Sequence, residues 1–179
     1  MRVITGTARG MTLRTLEGND VRPTTDKVKE AVFSAFQFEI EGRRILDLFA
    51  GSGQFGIEAL SRGAKSAVFV DADKNAVRIV KENLAKTKLD SLATVVQTDS
   101  IAFLSMTDRV FDIAFLDPPF EKGLLQKALA KIDSLISEGG AVICEHPFRE
   151  ELDESYGSLV KSKEYKYSKT AVTVYRKEG

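Results

Sequence analysis

Short apolar runs alternate along the chain with segments whose apolar residues recur at helical spacing. Each run is about as long as a strand buried in a parallel sheet. The helical spacing is clear after Asp73 and again after Phe120. Strands that alternate with helices in this way predict an α/β fold with a mostly parallel, doubly wound sheet. The predicted strands are Ile45–Phe49, Ala67–Asp71, Ala93–Gln97, Ile113–Leu116 and Ala141–Cys144.

Both ends of the chain depart from this alternation. Residues 2–16 alternate loosely around two glycines, which favours a short N-terminal β-hairpin, and a helix follows with Thr24 or Thr25 as its N-cap. The stretch from Leu159 to Tyr175 has no helical period and predicts two antiparallel strands. We therefore expect a single domain over residues 1–179, with an N-terminal extension over 1–38 and a core over 39–179.

Composition narrows the classes of protein that fit. The 179 residues contain 26 basic and 26 acidic side chains, so nucleic-acid binding requires a local basic patch. The single cysteine, Cys144, is expected in the core, and it excludes an intramolecular disulfide and a cysteine-based zinc site. We expect no metal. No run approaches the roughly 18 apolar residues of a membrane span. No secretory signal is visible, and the sequence favours a cytoplasmic protein.

The stretch DLFAGSGQFG, from Asp47 to Gly56, joins the first predicted strand to a predicted helix. Gly51 and Gly53 permit a tight turn and let a ligand approach the backbone, where the new helix offers unpaired N–H groups. Asp71 ends the next strand, where such folds place an acid that binds ribose hydroxyls. The alternative is a strand–helix turn that binds nothing, which the strand-terminal acid disfavours.

The spacing of Gly51, Gly53 and Gly56 also matches the dinucleotide fingerprint of dehydrogenases. Asp47 argues against that class, because its carboxylate would repel a pyrophosphate at the end of the first strand. A carboxylate there suits a ligand with a cationic group, such as the amino end of S-adenosylmethionine. A dehydrogenase would also be expected to carry a second, substrate-binding domain. Asp99 closes the third strand, where it would either accept a hydrogen bond from an adenine amino group or cap the next helix.

The tetrapeptide Asp117-Pro118-Pro119-Phe120 ends the fourth strand, at the edge that also carries the other strand-terminal acids. The prolines fix the backbone and remove N–H donors, so a carboxylate and a carbonyl form an acceptor pair for an exocyclic amine. Hydrogen bonds to both would direct the nitrogen lone pair outward for methylation. The Phe120 ring offers a face on which a planar base can stack. The alternative is a strand-ending turn with a buried phenylalanine.

The motifs DLFAGSG, FVDAD and FLDPPF resemble those of class I S-adenosylmethionine-dependent methyltransferases that act on exocyclic amino nitrogens. The N-terminal RVI and RG, RPTTDKVKEA over 22–31 and EALSRGA over 58–64 are similar to the RsmD family, bacterial enzymes that methylate N2 of a guanine in 16S rRNA. The resemblance runs from Arg2 to Arg176. Met11 departs from it, since relatives usually carry a basic residue there, and Ser168 replaces a common glycine.

The resemblance implies a Rossmann-like fold, S-adenosyl-L-methionine as cofactor and a substrate of 16S rRNA in the assembled or nearly assembled small ribosomal subunit. No membrane partner or obligatory protein partner is evident. It implies that Asp117, Pro118, Pro119 and Phe120 hold the target base. It also implies a cofactor site in which Asp47 lies at the methionine end, Asp71 at the ribose and Asp99 at the adenine. The cofactor-binding set is Asp47, Phe49, Gly51, Ser52, Gly53, Asp71, Ala72, Asp99 and Ser100.

Residues 1–30 contain six basic side chains, Lys29 among them, and four acidic ones, which gives a local excess of two positive charges. This favours an RNA-facing arm that positions phosphates, with Arg2, Arg9, Arg22 and Lys27 as its contacts. A solvated hairpin and helix face is the alternative. His146 is expected in a loop, without a catalytic role. Two other functions stay open: amino-methyl transfer to adenine N6 of DNA or RNA, and a cofactor-binding scaffold without catalysis, against which the intact Asp117–Phe120 argues.

Overall fold

The structure is a computed structural model that describes residues 1–16, 25–120 and 123–178. Its strands are β1 (Arg44–Leu48), β2 (Ser66–Asp71), β3 (Ala93–Gln97), β4 (Phe111–Leu116), β5 (Ile136–Pro147), β6 (Ser155–Tyr156), β7 (Leu159–Lys166) and β8 (Thr170–Lys177). Its α-helices are α1 (Thr25–Ala35), α2 (Gln54–Ser61), α3 (Lys74–Thr87), α4 (Ser100–Met106) and α5 (Leu124–Ile132). None of these described helices is both long and apolar enough to cross a membrane.

The strands form one sheet in the order β3-β2-β1-β4-β5-β8-β7-β6. The first five are parallel, and β8 pairs antiparallel with β5 and with β7. The predicted parallel sheet and C-terminal antiparallel hairpin are therefore confirmed. β5 extends beyond its apolar run at both ends, because Ile136 pairs with Phe111 of β4 and the strand continues to pair with β8 as far as Pro147 opposite Thr170. His146 therefore lies in a strand, and the prediction of a loop residue was wrong.

Strand β1 lies at the point where the strand order reverses. It pairs with β2 on one side and with β4 on the other, so Leu48 stands opposite both Val70 and Leu116. In open α/β sheets, a crevice forms beyond the carboxyl ends of the strands at this reversal, and ligands bind there. We therefore expect the ligand-binding site at the edge of the sheet where β1, β2 and β4 end.

Each face of the sheet carries its own core. Helices α1, α2 and α3 pack on one face, where the Phe33 and Phe55 rings lie 5.4 Å and 5.3 Å from the Phe115 ring. Helices α4 and α5 pack on the other face, which also buries Cys144. Successive residues of a strand point to opposite faces, so Phe69 joins the first core and Val68 the second. Burial raises the pKa of the Cys144 thiol, consistent with a packing role.

The N-terminal segment is a looser turn than the predicted β-hairpin. A single bridge joins Arg2 to Thr12, and Val3 exchanges hydrogen bonds with the backbone of residues 10 and 11. The N–H groups of Ile4 and Thr5 donate instead to the Glu58 carboxylate of α2, at 2.8 and 3.1 Å. Because a side chain takes these donors, two regular strands do not form. The predicted N-cap Thr24 lies outside the described residues, and α1 begins at Thr25.

Candidate active site at the carboxyl edge of the sheet

Acidic side chains meet at the carboxyl edge of the parallel strands, as the sequence predicts. Asp47 is the last residue but one of β1, Asp71 is the final residue of β2, and Asp117 directly follows β4. Asp99 follows β3 by two residues and precedes α4. The strand order places the first three around the reversal point of the sheet, with Asp99 one strand farther out.

Asp47 is the most deeply buried of these acids, with 2% of its surface exposed. Its Oδ2 accepts a hydrogen bond of 2.9 Å from the Gly56 N–H in the first turn of α2. Burial raises the pKa of Asp47 to about 8, the Gly56 hydrogen bond opposes this, and the nearby Asp71 carboxylate adds to it. A buried carboxyl group with such a raised pKa is stabilised in its charged form when a cation binds beside it.

The loop between β1 and α2 is shaped by left-handed backbone conformations. Gly51 and Gly53 have φ angles of 58° and 82°, which glycine adopts without a steric penalty. Phe49 has a φ of 60°, an uncommon conformation for a residue with a side chain, and it marks strain where β1 leaves the sheet. The bare backbone of this loop is thereby presented at the edge of the sheet.

Asp71 fixes the same loop to the end of β2. Its Oδ2 accepts from the Gly51 N–H and its Oδ1 from the Asp73 N–H, both at 2.9 Å. Each carboxylate oxygen has a second lone pair, so the side chain retains acceptor capacity for a hydroxyl group. Buried Asn83 of α3 donates to the Ser52 carbonyl at 2.9 Å and holds the loop from the other side.

Gly56 explains why α2 packs so closely on the sheet. A Cβ atom at this position would lie 2.3 Å from Cε1 of Phe69, which is itself completely buried. Only a residue without a side chain fits here, in agreement with the role of the third glycine in fingerprints of this kind. The close packing brings the Gly56 N–H within reach of Asp47.

The structure shows Asp99 as the N-cap of α4. Its Oδ2 accepts a 2.9 Å hydrogen bond from the Ala102 N–H, so the capping interpretation is confirmed, while the adenine contact stays a prediction. Ser100 is buried behind this cap, and Ala72 is exposed just after β2. These residues line the same edge as Asp71, on the side of β2 that faces β3.

The segment from Asp117 to Phe120 leaves β4 toward solvent. Asp117 is half-buried, Pro118 is buried and Pro119 is exposed. Phe120 is 46% exposed as a whole residue, so a strand-ending turn with a buried phenylalanine does not describe this segment. Asp117 and Glu145 both line a small recess walled by apolar side chains of α1, α2, β4 and β5. The sequence pattern did not single out Glu145, because an acid near the end of an apolar run gives no sign of being buried.

The predicted RNA-facing cations are only partly accessible. Arg2, Arg9 and Lys27 are exposed, and Arg22 lies outside the described residues. Lys29, which contributed to the predicted local excess of charge, is completely buried against Glu58 and cannot contact a phosphate.

The donors and acceptors of this edge fit a ligand with a cationic group and hydroxyl groups, as S-adenosylmethionine has. A positively charged group of a ligand would stabilise the ionised form of buried Asp47. The glycine loop lets a ligand contact the backbone, and Asp71 can accept hydrogen bonds from hydroxyl groups. Together with a strand order that reverses at β1, these features are those of a class I methyltransferase.

The sequence profile of the family described as "Conserved hypothetical protein 95" matches residues 1–176, and the chain belongs to this family. It is 41% identical to YlbH of Bacillus subtilis (strain 168), provisionally named an rRNA methyltransferase, over 184 aligned positions that cover 100% of both chains. It is also 41% identical over 133 residues to "Ribosomal RNA small subunit methyltransferase D" of Haemophilus influenzae, covering 73% of this chain and 69% of the relative.

Solved structures agree with this assignment. A provisionally named methyltransferase, yhhF from Escherichia coli, superposes with a TM-score of 0.90 at 31% identity, covering 99% of this chain and 98% of the other. The 16S rRNA N2 methyltransferase RsmC of Thermus thermophilus, in complex with AdoMet and guanosine, gives a TM-score of 0.72 at 23% identity over 91% of this chain and 45% of that one. The second likeness supports the fold alone. The sequence resemblance to the RsmD family is thus confirmed.

Proposed function

We propose that the protein transfers a methyl group from S-adenosyl-L-methionine to the exocyclic N2 of a guanine in 16S rRNA, within the small ribosomal subunit. The observation that carries this proposal is the position of Asp117–Phe120 beside the acidic, glycine-lined crevice at the reversal point of the sheet. Relatives named as rRNA small-subunit methyltransferases support the RNA substrate. The choice of the guanine N2 nitrogen rests on the sequence resemblance to the RsmD family, to which the relatives named methyltransferase D belong.

In this proposal, the chain holds the cofactor along the ends of β1, β2 and β3. Asp47 binds the cationic amino group, and the backbone of Phe49, Gly51, Ser52 and Gly53 surrounds the methionine end. Asp71 and Ala72 border the ribose, and Asp99 and Ser100 border the adenine. When bound, S-adenosylmethionine supplies an electrophilic methyl group on a sulfonium. The protein supplies the geometry, which is to keep nucleophile, methyl carbon and sulfur in line.

Asp117 and the Pro118 carbonyl act on the target amine. Each accepts one N–H of the exocyclic amino group, which draws the nitrogen lone pair out of conjugation and points it toward the crevice. The nitrogen–carbon bond would form as the carbon–sulfur bond breaks, and a neutral thioether would leave. The methylated nitrogen is cationic and acidic and would release its proton to water, so no strong base is required before the attack. The exposed Phe120 ring supports the base by stacking after it has left its own stack in the RNA.

The arm over residues 1–30 approaches the RNA in this proposal. Exposed Arg2, Arg9 and Lys27 contact phosphates, which position the substrate without reading its sequence. Arg22 is included in this arm on the basis of the sequence alone. We place the reaction in the cytoplasm, where small ribosomal subunits are assembled.

Transfer of tritiated methyl groups tests the proposal directly. Undermodified small subunits, naked 16S rRNA and duplex DNA are incubated with labelled S-adenosylmethionine, and the products are digested to nucleosides. We expect N2-methylguanosine, chiefly from assembled subunits. Methyladenine from DNA would instead establish an adenine methyltransferase, and cofactor binding without any transfer would establish a scaffold.

The variant Asp117→Asn tests the role of the acceptor carboxylate. It keeps the shape of the side chain but replaces one acceptor oxygen with a donor, and we expect the single-turnover rate to fall on the order of 100-fold. The affinity for S-adenosylmethionine, measured by calorimetry, should stay unchanged. An unaltered single-turnover rate would contradict the role proposed for Asp117.

A further inference from the structure

Phe148 is a second exposed aromatic residue at the edge that carries the candidate active site. The last register pair between β4 and β5 is Leu116 opposite Cys144, and Phe120 and Phe148 each follow four residues later. Because β4 and β5 are parallel neighbours, both chains leave the sheet at the same edge. The two rings are similarly accessible, with 46% of Phe120 and 43% of Phe148 exposed.

The backbone around Phe148 is firmly held. Its N–H donates to the Lys169 carbonyl at 3.0 Å, and the Glu150 N–H donates to the Pro147 carbonyl at 3.0 Å. The preceding strand stays paired with β8 up to Pro147 opposite Thr170. An exposed ring on a braced turn loses little conformational freedom when a planar group stacks on it.

One exposed cation lies over the ring, and two more are close to it along the backbone. Lys166 Nζ lies 5.5 Å from the centroid of the Phe148 ring, Arg149 is the next residue, and Lys169 supplies the carbonyl that holds the turn. We define the Phe148 patch as Phe148, Arg149, Lys166 and Lys169. Two acids adjoin it: Glu150 follows Arg149, and the exposed Glu164 lies 3.5 Å from Lys166. Solvent screens this exposed ion pair, so Lys166 can exchange Glu164 for a stronger anion.

We propose that the Phe148 patch binds the nucleotide that flanks the target base in the RNA. The flanking base stacks on the Phe148 ring, and Lys166 and Lys169 contact the adjoining phosphates. This inference rests on the proposed function, since a base extracted for methylation beside Phe120 leaves its neighbour without a stacking partner. Aromatic faces interleaved with cations are the usual means of binding single-stranded nucleic acid. A protein partner fits less well, because protein–protein interfaces are depleted in lysine.

Replacement of Phe148 tests the stacking contact against a matched control. Phe38 is 91% exposed and lies in the connection that enters the amino end of β1, at the opposite edge of the sheet. We expect Phe148→Ala to raise the KM for small subunits about tenfold with little change in kcat, and Phe148→Trp to retain the wild-type KM. Phe38→Ala should match the wild type. If Phe148→Ala and Phe38→Ala give the same KM, the inference is overturned.

Salt dependence tests the phosphate contacts. The binding constant falls with salt concentration more steeply as more phosphates are contacted. We expect Lys169→Gln to lower the slope of log K against log salt by about one, while Lys65→Gln, at an exposed site before the amino end of β2, leaves it unchanged. Equal slopes for the two variants would exclude Lys169 from the RNA contact.

A binding measurement separates this inference from the proposed function. A fluorescein-labelled single-stranded RNA of about 12 nucleotides is titrated with each full-length variant and followed by polarisation. If the wild type methylates no small-subunit RNA, the proposed function fails, yet weaker RNA binding by Phe148→Ala than by Phe38→Ala would still support the patch. If the wild type is active and the two variants bind the RNA equally, the patch fails while the function stands.

Discussion

At the scale of single residues, ionised Asp47 destabilises the folded protein because it is buried, but the same carboxylate suits the binding of a cationic ligand. Burial raises its pKa from about 4 in an unfolded chain to about 8, so the folded protein keeps a proton that the unfolded chain has lost in this range. The stability that this proton provides is complete below pH 4 and is lost as the pH rises through 8. A cationic ligand at the carboxylate would offset that cost.

We therefore expect Asp47→Asn to change stability and affinity in opposite directions. The amide has no charge to bury, so urea unfolding should show a flatter decline in stability between pH 5 and pH 8 than in the wild type, whose Asp47 contributes a slope of up to about 1.4 kcal/mol per pH unit. Calorimetry should show weaker binding of S-adenosylmethionine. Parallel pH profiles for the two proteins would show that Asp47 is ionised throughout this range.

At the scale of elements, the N-terminal segment depends on one carboxylate of α2. Glu58 is completely buried, accepts hydrogen bonds from Ile4, Thr5 and the Arg62 guanidinium, and lies 3.2 Å from Lys29 Nζ of α1. Burial lowers the pKa of Lys29, and the Glu58 carboxylate opposes this effect. A single side chain thus joins the N-terminal segment, α1 and α2.

We expect Glu58→Gln to destabilise the protein by about 3 kcal/mol, because it leaves buried Lys29 without its counter-charge. It also places the N–H donors of the glutamine amide next to backbone and guanidinium groups that are themselves donors. Urea unfolding measures the loss, and faster amide exchange over residues 3–13 should accompany it. Glu82→Gln provides the control, since Glu82 makes two ion pairs, with Arg14 and Arg78, that are exposed to solvent. Equal unfolding midpoints for the two variants would contradict the anchoring role of Glu58.

The elements that could be predicted from the sequence are those with a local periodic signal. The five parallel strands, α3 and α5 carry their burial pattern within a few consecutive residues, and so their apolar spacing identifies them. The N-terminal segment could not be predicted in detail because the partner of Ile4 and Thr5 is a carboxylate more than 50 positions away. The strand position of His146 likewise depends on its pairing with β8, opposite Ala171.

The same distinction holds for the candidate site. Gly51, Gly53 and the acids at the strand ends follow from motif and strand position, because parallel strands bring their carboxyl ends to one edge. The burial of Glu145 and of Lys29 depends on the elements that pack over them, and a local sequence pattern does not indicate this packing. The left-handed conformation of Phe49 is also invisible in the sequence, since it opposes the preference of the residue.

At the scale of the whole molecule, the N-terminal extension shares a core with the rest of the chain. Val3, Leu13 and Phe33 belong to the same buried cluster as Phe69 of β2 and Val174 of β8. Arg176 of β8 also joins the two parts, since its guanidinium lies 4.8 Å from the centroid of the Phe36 ring, beyond the end of α1. The described residues of the extension, 1–16 and 25–38, therefore share their core with residues 39–179, and we do not expect them to unfold independently.

We accordingly expect residues 1–179 to unfold as one cooperative unit. Far-ultraviolet circular dichroism follows the helices and the sheet, while tyrosine fluorescence follows all four tyrosines, Tyr156, Tyr165, Tyr167 and Tyr175, which pack in or against the two cores. The two signals should give coincident urea transitions, and the calorimetric and van't Hoff enthalpies should agree. Saturating S-adenosylmethionine should move both transitions together, because a ligand of the folded state stabilises the whole unit by about 2.7 kcal/mol at a concentration 100 times its Kd. Early amide exchange over residues 1–16, with the fluorescence transition unmoved, would instead define the extension as a separate unit.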